Sequence, residues 1–142
     1  MLKKAILTVE DSKALRFVIK TIFSKDYSVT SVPSCNAAVQ KLHAHTNKHD
    51  LIILDIPDTD SDNFKLLEHI ATSSYLSNIP TVVLSNSGDE NLKSEAIQLG
   101  ASFFIKKPFD PVFLADKVRE LTHGDTKELA PKRRNFINLN IF

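Results

Sequence analysis

Carboxylates directly follow two largely apolar runs in this sequence of 142 residues. Asp55 comes after the run Leu51–Leu54, and Glu10 and Asp11 come after the run Ala5–Val9. Apolar runs of this length are typical of strands that are buried on both faces of a parallel sheet. Because ligands of open α/β sheets bind at the carboxyl ends of the strands, we expect the three acids to share one site.

Two further strand-like runs end in residues that could bind a phosphoryl group. Thr81–Leu84 is followed by the hydroxyl of Ser85, and Phe103–Ile105 is followed by Lys106 and Lys107. Three ionised carboxylates within a few ångströms repel one another, so one must be protonated or a cation must be present. Mg²⁺ suits a site that has few carboxylates, several waters and phosphoryl oxygens. Together these groups indicate phosphoryl transfer, with a carboxylate as the nucleophile.

The composition predicts one globular domain in the cytoplasm. The length is that of a single domain, and 42% hydrophobic with 25% charged residues is ordinary for a globular protein. The single Cys35 excludes an internal disulfide and fits a reducing compartment. No apolar run approaches the roughly 18–20 residues that a bilayer-spanning helix needs, so we expect no membrane segment.

Charge is distributed unevenly along the chain. Residues 124–142 hold four Lys or Arg against two acids, which leaves 14 basic residues against 15 acids before them. This balance argues against binding of nucleic acid by the folded part of the chain.

Hydrophobic periodicity predicts five strands that alternate with five helices. Strands are expected over Ala5–Val9, Tyr27–Val32, Leu51–Asp55, Thr81–Ser85 and Ser102–Ile105. Helices are expected over Ser12–Lys25, Ser34–His43, Phe64–Thr72, Glu90–Leu99 and, with Asp110 as its cap, Pro111–Leu121. Inward positions of the first three helices are predicted at Leu15, Val18, Ile19 and Ile22, at Ala38, Val39 and Leu42, and at Phe64, Leu67, Ile70 and Ala71. Gly100 suits a left-handed stop after the fourth helix.

This alternation implies right-handed crossovers, and therefore an α/β domain with a parallel sheet and helices on both faces. The domain is expected to cover residues 1–123. Residues 124–142 are interpreted as a basic tail or linker, and the open alternative is a sixth strand that covers a sheet edge or pairs with a partner chain.

Over about residues 3–122 the chain resembles the receiver domain of two-component response regulators. The matching pieces, in order, are Val9–Ser12, Asp55, Ser85, Gly100–Ser102 and Lys107–Phe109. Each piece is weak alone, but their order and intervals together are specific. The resemblance implies a flavodoxin-like (βα)5 doubly wound sheet with strand order 2-1-3-4-5.

The resemblance also implies a function for these residues. Asp55 would accept a phosphoryl group from a phosphohistidine on a sensor histidine kinase or a histidine phosphotransfer domain. Mg²⁺ would be held by Glu10, Asp11, Asp55 and the backbone carbonyl of Pro57. The protein would then be a signalling switch that catalyses only its own phosphorylation and slow dephosphorylation.

Three more positions complete the implied switch. Ser85 and Lys107 would bind the phosphoryl oxygens, and Lys107 is chosen over Lys106 because it directly precedes Pro108. Phe104 falls at the position of an aromatic switch, with plain core packing as its alternative. The downstream protein target would bind the face formed by the fourth helix, fifth strand and fifth helix, and dimerisation through the last helices is left open.

The segment after Asp55 departs from the family pattern. Thr59 stands where a proline is usual, Pro57 lies two residues after the acceptor, and Asn63 replaces a glycine. The resemblance implies that the positions held by Pro57 and Ser87 tune hydrolysis of the acyl phosphate, and here proline offers no side-chain group to orient water and serine offers only a short hydroxyl. We therefore expect a long-lived phosphorylated Asp55.

Two other functions and two other metal sites remain as alternatives. The functions are a receiver-like interaction module that is never phosphorylated, and an Asp-nucleophile phosphatase, whose nucleophile would belong on the first strand. Asp58, Asp60 and Asp62 begin like a calcium loop, but His69 holds the position of the required glutamate, so a solvated acidic loop is favoured. The spacing of His43, His45 and His49 favours a polar connector over a zinc site.

Overall fold

The computed structural model describes residues 3–44 and 48–123, which alternate five strands with five helices. The strands are β1 (Lys4–Val9), β2 (Tyr27–Val32), β3 (Leu51–Asp55), β4 (Thr81–Ser85) and β5 (Phe103–Lys106). The helices are α1 (Lys13–Phe23), α2 (Cys35–Leu42), α3 (Asp62–Thr72), α4 (Glu90–Gln98) and α5 (Pro111–His123). Predicted and observed bounds agree to within about two residues.

All strands pair in parallel, in the order β2-β1-β3-β4-β5. This is the strand order implied by the resemblance, and the predicted flavodoxin-like α/β fold is confirmed. Val9 of β1 pairs with Leu54 of β3, and Asp55 of β3 pairs with Leu84 of β4. The register therefore brings the carboxyl ends of the central strands to the same edge of the sheet.

The central strand β3 is buried on both faces, which explains its unbroken apolar sequence. Leu51 and Ile53 pack in a core cluster with α1 and α5, whereas Ile52 and Leu54 pack in a second cluster with α2, α3 and α4. Successive side chains of a strand point to opposite faces, so each position of β3 must fill one of the two cores. Burial of one such side chain contributes about 1.5–3 kcal/mol.

Short polar side chains set the start of several helices. The hydroxyls of Ser12, Ser34 and Ser61 accept hydrogen bonds from the backbone three residues later. The cap at Ser61 starts α3 at Asp62, two residues before the predicted start. Asp110 accepts a hydrogen bond from the Val112 amide and starts α5 as predicted.

Two predicted core positions are wrong. Val18 and Val39 were expected to face the core, but they are 41% and 36% exposed. In α1 the buried residues are Ile19 and Phe23, which lie one helical turn apart, so the face against the sheet is narrower than the apolar stripe. In α3 the sequence pattern missed Leu66, which is buried.

A buried lysine holds α5 against β5. Lys117 is 2% exposed, and its ammonium lies 5.1 Å from the ring centres of both Phe103 and Phe113. Glu120 lies 3.4 Å from the same ammonium. The rings and the carboxylate replace the water that the charge loses on burial.

None of the described helices is long and apolar enough to cross a bilayer. The predicted tail or sixth strand at residues 124–142, and with it the predicted boundary at residue 123, lies outside the described residues.

Gly100 has a φ of +104°, a backbone region that side chains with a Cβ rarely adopt. We expect Gly100→Ala to lower the free energy of unfolding by about 1 kcal/mol or more, measured by urea denaturation. Gly88→Ala is the matched control, because its φ is not positive and the added Cβ would meet only the end of the Lys106 side chain, at 3.4 Å. Equal stability of the two variants would contradict the prediction.

Candidate functional site

Glu10 and Asp55 lie next to each other at the carboxyl ends of β1 and β3. Val9 and Leu54 are paired in the sheet, and the next residue of each strand carries a carboxylate. Glu10 is 2% exposed and Asp55 is 9% exposed, whereas Asp11 is exposed. The neighbouring strands thus place two nearly buried acids at the carboxyl edge, with a third acid on their solvent side.

Lys107 lies between the two buried carboxylates. Its ammonium is 2.9 Å from Oε1 of Glu10 and 2.8 Å from Oδ1 of Asp55. The Lys107 backbone amide donates to the carbonyl of Ser85, at 2.8 Å, which ties the end of β5 to the end of β4. The Lys107–Pro108 peptide bond is cis. Residues 52 and 97 positions apart in sequence therefore form one ionic cluster.

Carboxylates outnumber the cation in this cluster. One oxygen from each of Glu10, Asp11 and Asp55 lies within 4.8 Å of the others, and among the described residues this is the sole group of three or more such metal-binding side chains. At that separation two like charges repel by about 3 kcal/mol at an effective dielectric of 20. One ammonium cannot neutralise three ionised carboxylates, so the ionised cluster has excess negative charge.

Burial and charge act in opposite directions on the ionisable groups. Burial raises the pKa of Glu10, and the hydrogen bond from Lys107 offsets only part of that effect. For Lys107, burial lowers the pKa, but the hydrogen bonds to Asp55 and Glu10 and the charges of both acids outweigh it, so the net pKa is raised. The lysine is therefore held in its charged form.

Arg16 binds the backbone of the turn that carries Glu10 and Asp11, a role that the sequence pattern did not reveal. Its Nη1 donates to the backbone carbonyls of Glu10 and Asp11, at 2.8 and 3.1 Å. Oε2 of Glu10 also accepts from the Ser12 amide, at 3.1 Å. These bonds fix the direction of the turn between β1 and α1. The signal in the sequence that could have indicated this role is an arginine six residues after Glu10, the acid at the end of β1.

Ser85 and Phe104 lie on neighbouring strands. Ser85 is fully buried, and its Oγ accepts from the Ser87 amide at 3.1 Å, while Ser87 Oγ accepts from the Asp89 amide at 3.0 Å. Phe104 pairs with Val83 in the sheet and is partly buried against the cluster formed with α2, α3 and α4. Ser85 thus lies at the start of the β4–α4 loop, and Phe104 lies beside β4 on the neighbouring strand.

Asn63 connects the end of β3 to the start of α2. Its side-chain amide donates to the backbone carbonyl of Asp55, and its Oδ1 accepts from the thiol of Cys35. A cleft of about 240 Å³ opens beside this connection, and its lining includes Asp11, Asp55 and Pro57. The Pro57 position named as a metal ligand therefore borders the same space as two of the acids.

At the two alternative metal sites, the described residues make local polar contacts. Oδ1 of Asp58 accepts from the Asp60 amide, and the Ser61 hydroxyl donates to the Asp58 carbonyl, as in an ordinary loop. Nε2 of His43 lies 3.2 Å from Nε2 of His69 on α3, within hydrogen-bond distance. His45 lies outside the described residues.

Known proteins with similar sequences are response regulators and histidine kinases. The sequence model of the response regulator receiver domain family matches residues 6–119. A two-component response regulator of Arabidopsis thaliana is 30% identical over 104 residues, which are 72% of this chain and 18% of the relative. The chain thus spans less than a fifth of that relative's length.

Solved structures of receiver domains have the same fold. The receiver domain of a signal transduction histidine kinase from Syntrophus aciditrophicus has a TM-score of 0.76 and 30% identity, over 87% of this chain and 93% of that one. A phosphorylated cyanobacterial phytochrome response regulator has a TM-score of 0.74 and 26% identity, over 86% of this chain and 95% of that one.

Repulsion within the acidic cluster predicts the effect of removing one charge. In buffer with a chelator, Asp11→Asn should raise the free energy of unfolding by about 0.5–1 kcal/mol, since Asp11 is exposed and its repulsion is screened. The gain should shrink in 1 M salt. Asp26→Asn, in the turn between α1 and β2 at the opposite edge of the sheet, is the control and should change little. Destabilisation by Asp11→Asn relative to this control would contradict the repulsion.

Proposed function

Because the chain belongs to the receiver domain family of response regulators, we propose that Asp55 is a phosphoacceptor in two-component signalling. The phosphoryl group would come from a phosphohistidine on a sensor histidine kinase or a histidine phosphotransfer domain. The observation that best supports the proposal is the contact of 2.8 Å between the Lys107 ammonium and Asp55, beside Glu10 and Asp11.

The transfer is a substitution at phosphorus. With Oδ1 of Asp55 held by Lys107, the second carboxylate oxygen attacks the phosphorus atom of the donor. A phosphorus–oxygen bond forms, the phosphorus–nitrogen bond breaks, and its electron pair stays on the imidazole nitrogen, which takes up a proton. Lys107 stabilises the negative charge on the phosphoryl oxygens during this step.

The acidic cluster fits Mg²⁺. Its ligands would be carboxylate oxygens of Glu10, Asp11 and Asp55 and the carbonyl of Pro57, and hard oxygen atoms are the ligands that Mg²⁺ prefers. The cluster carries more negative charge than Lys107 alone balances, which favours a divalent cation. When bound, the ion would supply positive charge to the phosphoryl oxygens.

Ser85 and Phe104 are the proposed switch. The buried Ser85 hydroxyl accepts from the Ser87 amide, and its own hydrogen can bind a phosphoryl oxygen on Asp55 once the β4–α4 loop moves inward. Phe104 is partly buried against the core cluster that includes residues of α4, and it would turn as the loop moves. The change would reach the face formed by α4, β5 and α5, where a downstream protein binds.

The protein is proposed to act as a switch and to catalyse only its own phosphorylation and slow dephosphorylation. This exchange belongs in the cytoplasm, where Cys35, a free thiol in this structure, would stay reduced. The altered segment between Pro57 and Asn63 supports one competing function, an interaction module that is never phosphorylated.

Incubation with Mg²⁺ and acetyl phosphate or phosphoramidate tests the proposal. Mass spectrometry should find an added mass of about 80 Da, the mass of one phosphoryl group. Asp55→Asn should abolish the adduct, and Asp60→Asn, the same change in the exposed loop nearby, should leave it intact. Continuous release of phosphate without an adduct would indicate a phosphatase, and no reaction would indicate the inert interaction module.

The lifetime of the phosphorylated protein is a separate expectation. Pro57 has no side-chain group that can orient water toward the acyl phosphate, so its half-life after removal of the donor should be minutes or longer. Pro57→Asn should shorten the half-life, and Thr59→Asn, in the same loop, is the control. A wild-type half-life of seconds at neutral pH would refute this expectation.

A further inference from the structure

One side chain joins the ends of three elements beside the phosphoacceptor. Asn63 lies in the first turn of α3, Asp55 is the last residue of β3, and Cys35 is the first residue of α2. The Asn63 side chain bonds to the backbone of Asp55 and to the thiol of Cys35. Within residues 3–44 and 48–123, no other side chain forms hydrogen bonds to both the last residue of β3 and the first residue of α2.

The carbonyl of Asp55 needs a donor because the sheet ends beside it. The Ile56 amide donates to the Leu84 carbonyl of β4, at 2.9 Å. A trans peptide directs its N–H and C=O to opposite sides, so the Asp55 carbonyl points away from β4, toward β1. There β1 ends at Val9, and the Glu10 amide donates to Val32 of β2 instead. Asn63 supplies the missing donor.

Cys35 fixes which end of the Asn63 amide faces Asp55. A carbonyl can accept only from the amide nitrogen, so Oδ1 must face the thiol, which donates to it. Burial, with a contribution from the charge of Asp62, raises the pKa of the Cys35 thiol, which keeps its hydrogen available. Both polar ends of the Asn63 side chain are therefore engaged.

We propose that Asn63 is a positioning residue for the phosphoacceptor. By holding the Asp55 peptide, it keeps the Asp55 carboxylate in the orientation that binds Mg²⁺ together with Glu10 and Asp11. Cys35 contributes through Asn63, as the donor that orients the amide. This inference rests on the part of the proposed function in which Asp55 is a metal ligand.

Asn63 adds a contact to the Asp55 carbonyl that the hydrogen bonds within residues 56–61 do not provide. The segment from Ile56 to Ser61 carries exposed residues at Pro57, Asp58 and Asp60. The hydrogen bonds within this segment join Asp58 to Asp60 and to Ser61. These bonds are local and do not reach the end of β3. The hydrogen bond from Asn63 therefore links the start of α3, which follows this segment, to Asp55, which precedes it.

Calorimetric titration of the full chain with Mg²⁺, without a phosphodonor, tests the inference. Loss of a partner that orients a metal ligand typically weakens metal binding 10- to 100-fold, so Asn63→Ala should raise the Mg²⁺ Kd about tenfold. Cys35→Ala should raise it by a smaller factor, and Cys35→Ser, whose hydroxyl can still donate, should bind almost as the wild type does. Asn36→Ala is the matched control, because Asn36 lines the same cleft and is exposed.

The outcomes separate positioning from plain stabilisation. A purely structural role would lower the free energy of unfolding of Asn63→Ala and leave the Kd of the folded protein unchanged, which would overturn the inference. If Asn63→Ala does not fold, a Kd for Cys35→Ala equal to that of Cys35→Ser would overturn it as well. Wild-type chain that binds no Mg²⁺ would refute the inference together with the proposed metal site. Wild-type chain that binds Mg²⁺ but forms no adduct would refute only the phosphoacceptor role.

Discussion

The ammonium of Lys107 lies 2.9 Å from Glu10 and 2.8 Å from Asp55, and the site depends on this contact. Two nearly buried carboxylates could not stay ionised side by side without a cation, because burial and mutual repulsion both favour their neutral forms. The Lys107 ammonium stabilises the charges of Glu10 and Asp55, but it does not contact the carboxylate of Asp11. The arrangement pairs one ammonium with more than one carboxylate, which suits the proposed roles of Asp55 as a metal ligand and phosphoacceptor.

The parallel sheet is what places these charges together. Because Leu51–Leu54 are all buried, a shift of β3 by one residue would bring the flanking Asp50 or Asp55 into a hydrophobic core. The register of β3 against β1 and β4 is therefore held by burial, and the position of Asp55 follows from it. The energy of the core is thus what holds an otherwise repulsive cluster of acids.

Bonds to the main chain hold the details of the site. Arg16 binds the carbonyls of the turn after β1, and Asn63 binds the carbonyl at the end of β3. Both bonds go to backbone carbonyls and therefore use none of the carboxylate oxygens that are the proposed ligands of the metal. Asn63 stands at the position where the family pattern has a glycine, and the loop before it carries a proline two residues after Asp55.

The sequence by itself determined the fold class, the strand order implied by the resemblance, and the acids and lysine of the site. The fold class and these residues could be read because buried strands, helix caps and strand-end residues leave local patterns along the chain, whereas the strand order came only from the resemblance. Only the tertiary structure decided which side chains touch. The contact of Lys107 with Asp55, the bonds of Arg16 and Asn63, and the exposure of Val18 depend on how distant segments pack. Local periodicity carries no information about distances between residues that are dozens of positions apart, so these contacts had to come from the folded chain.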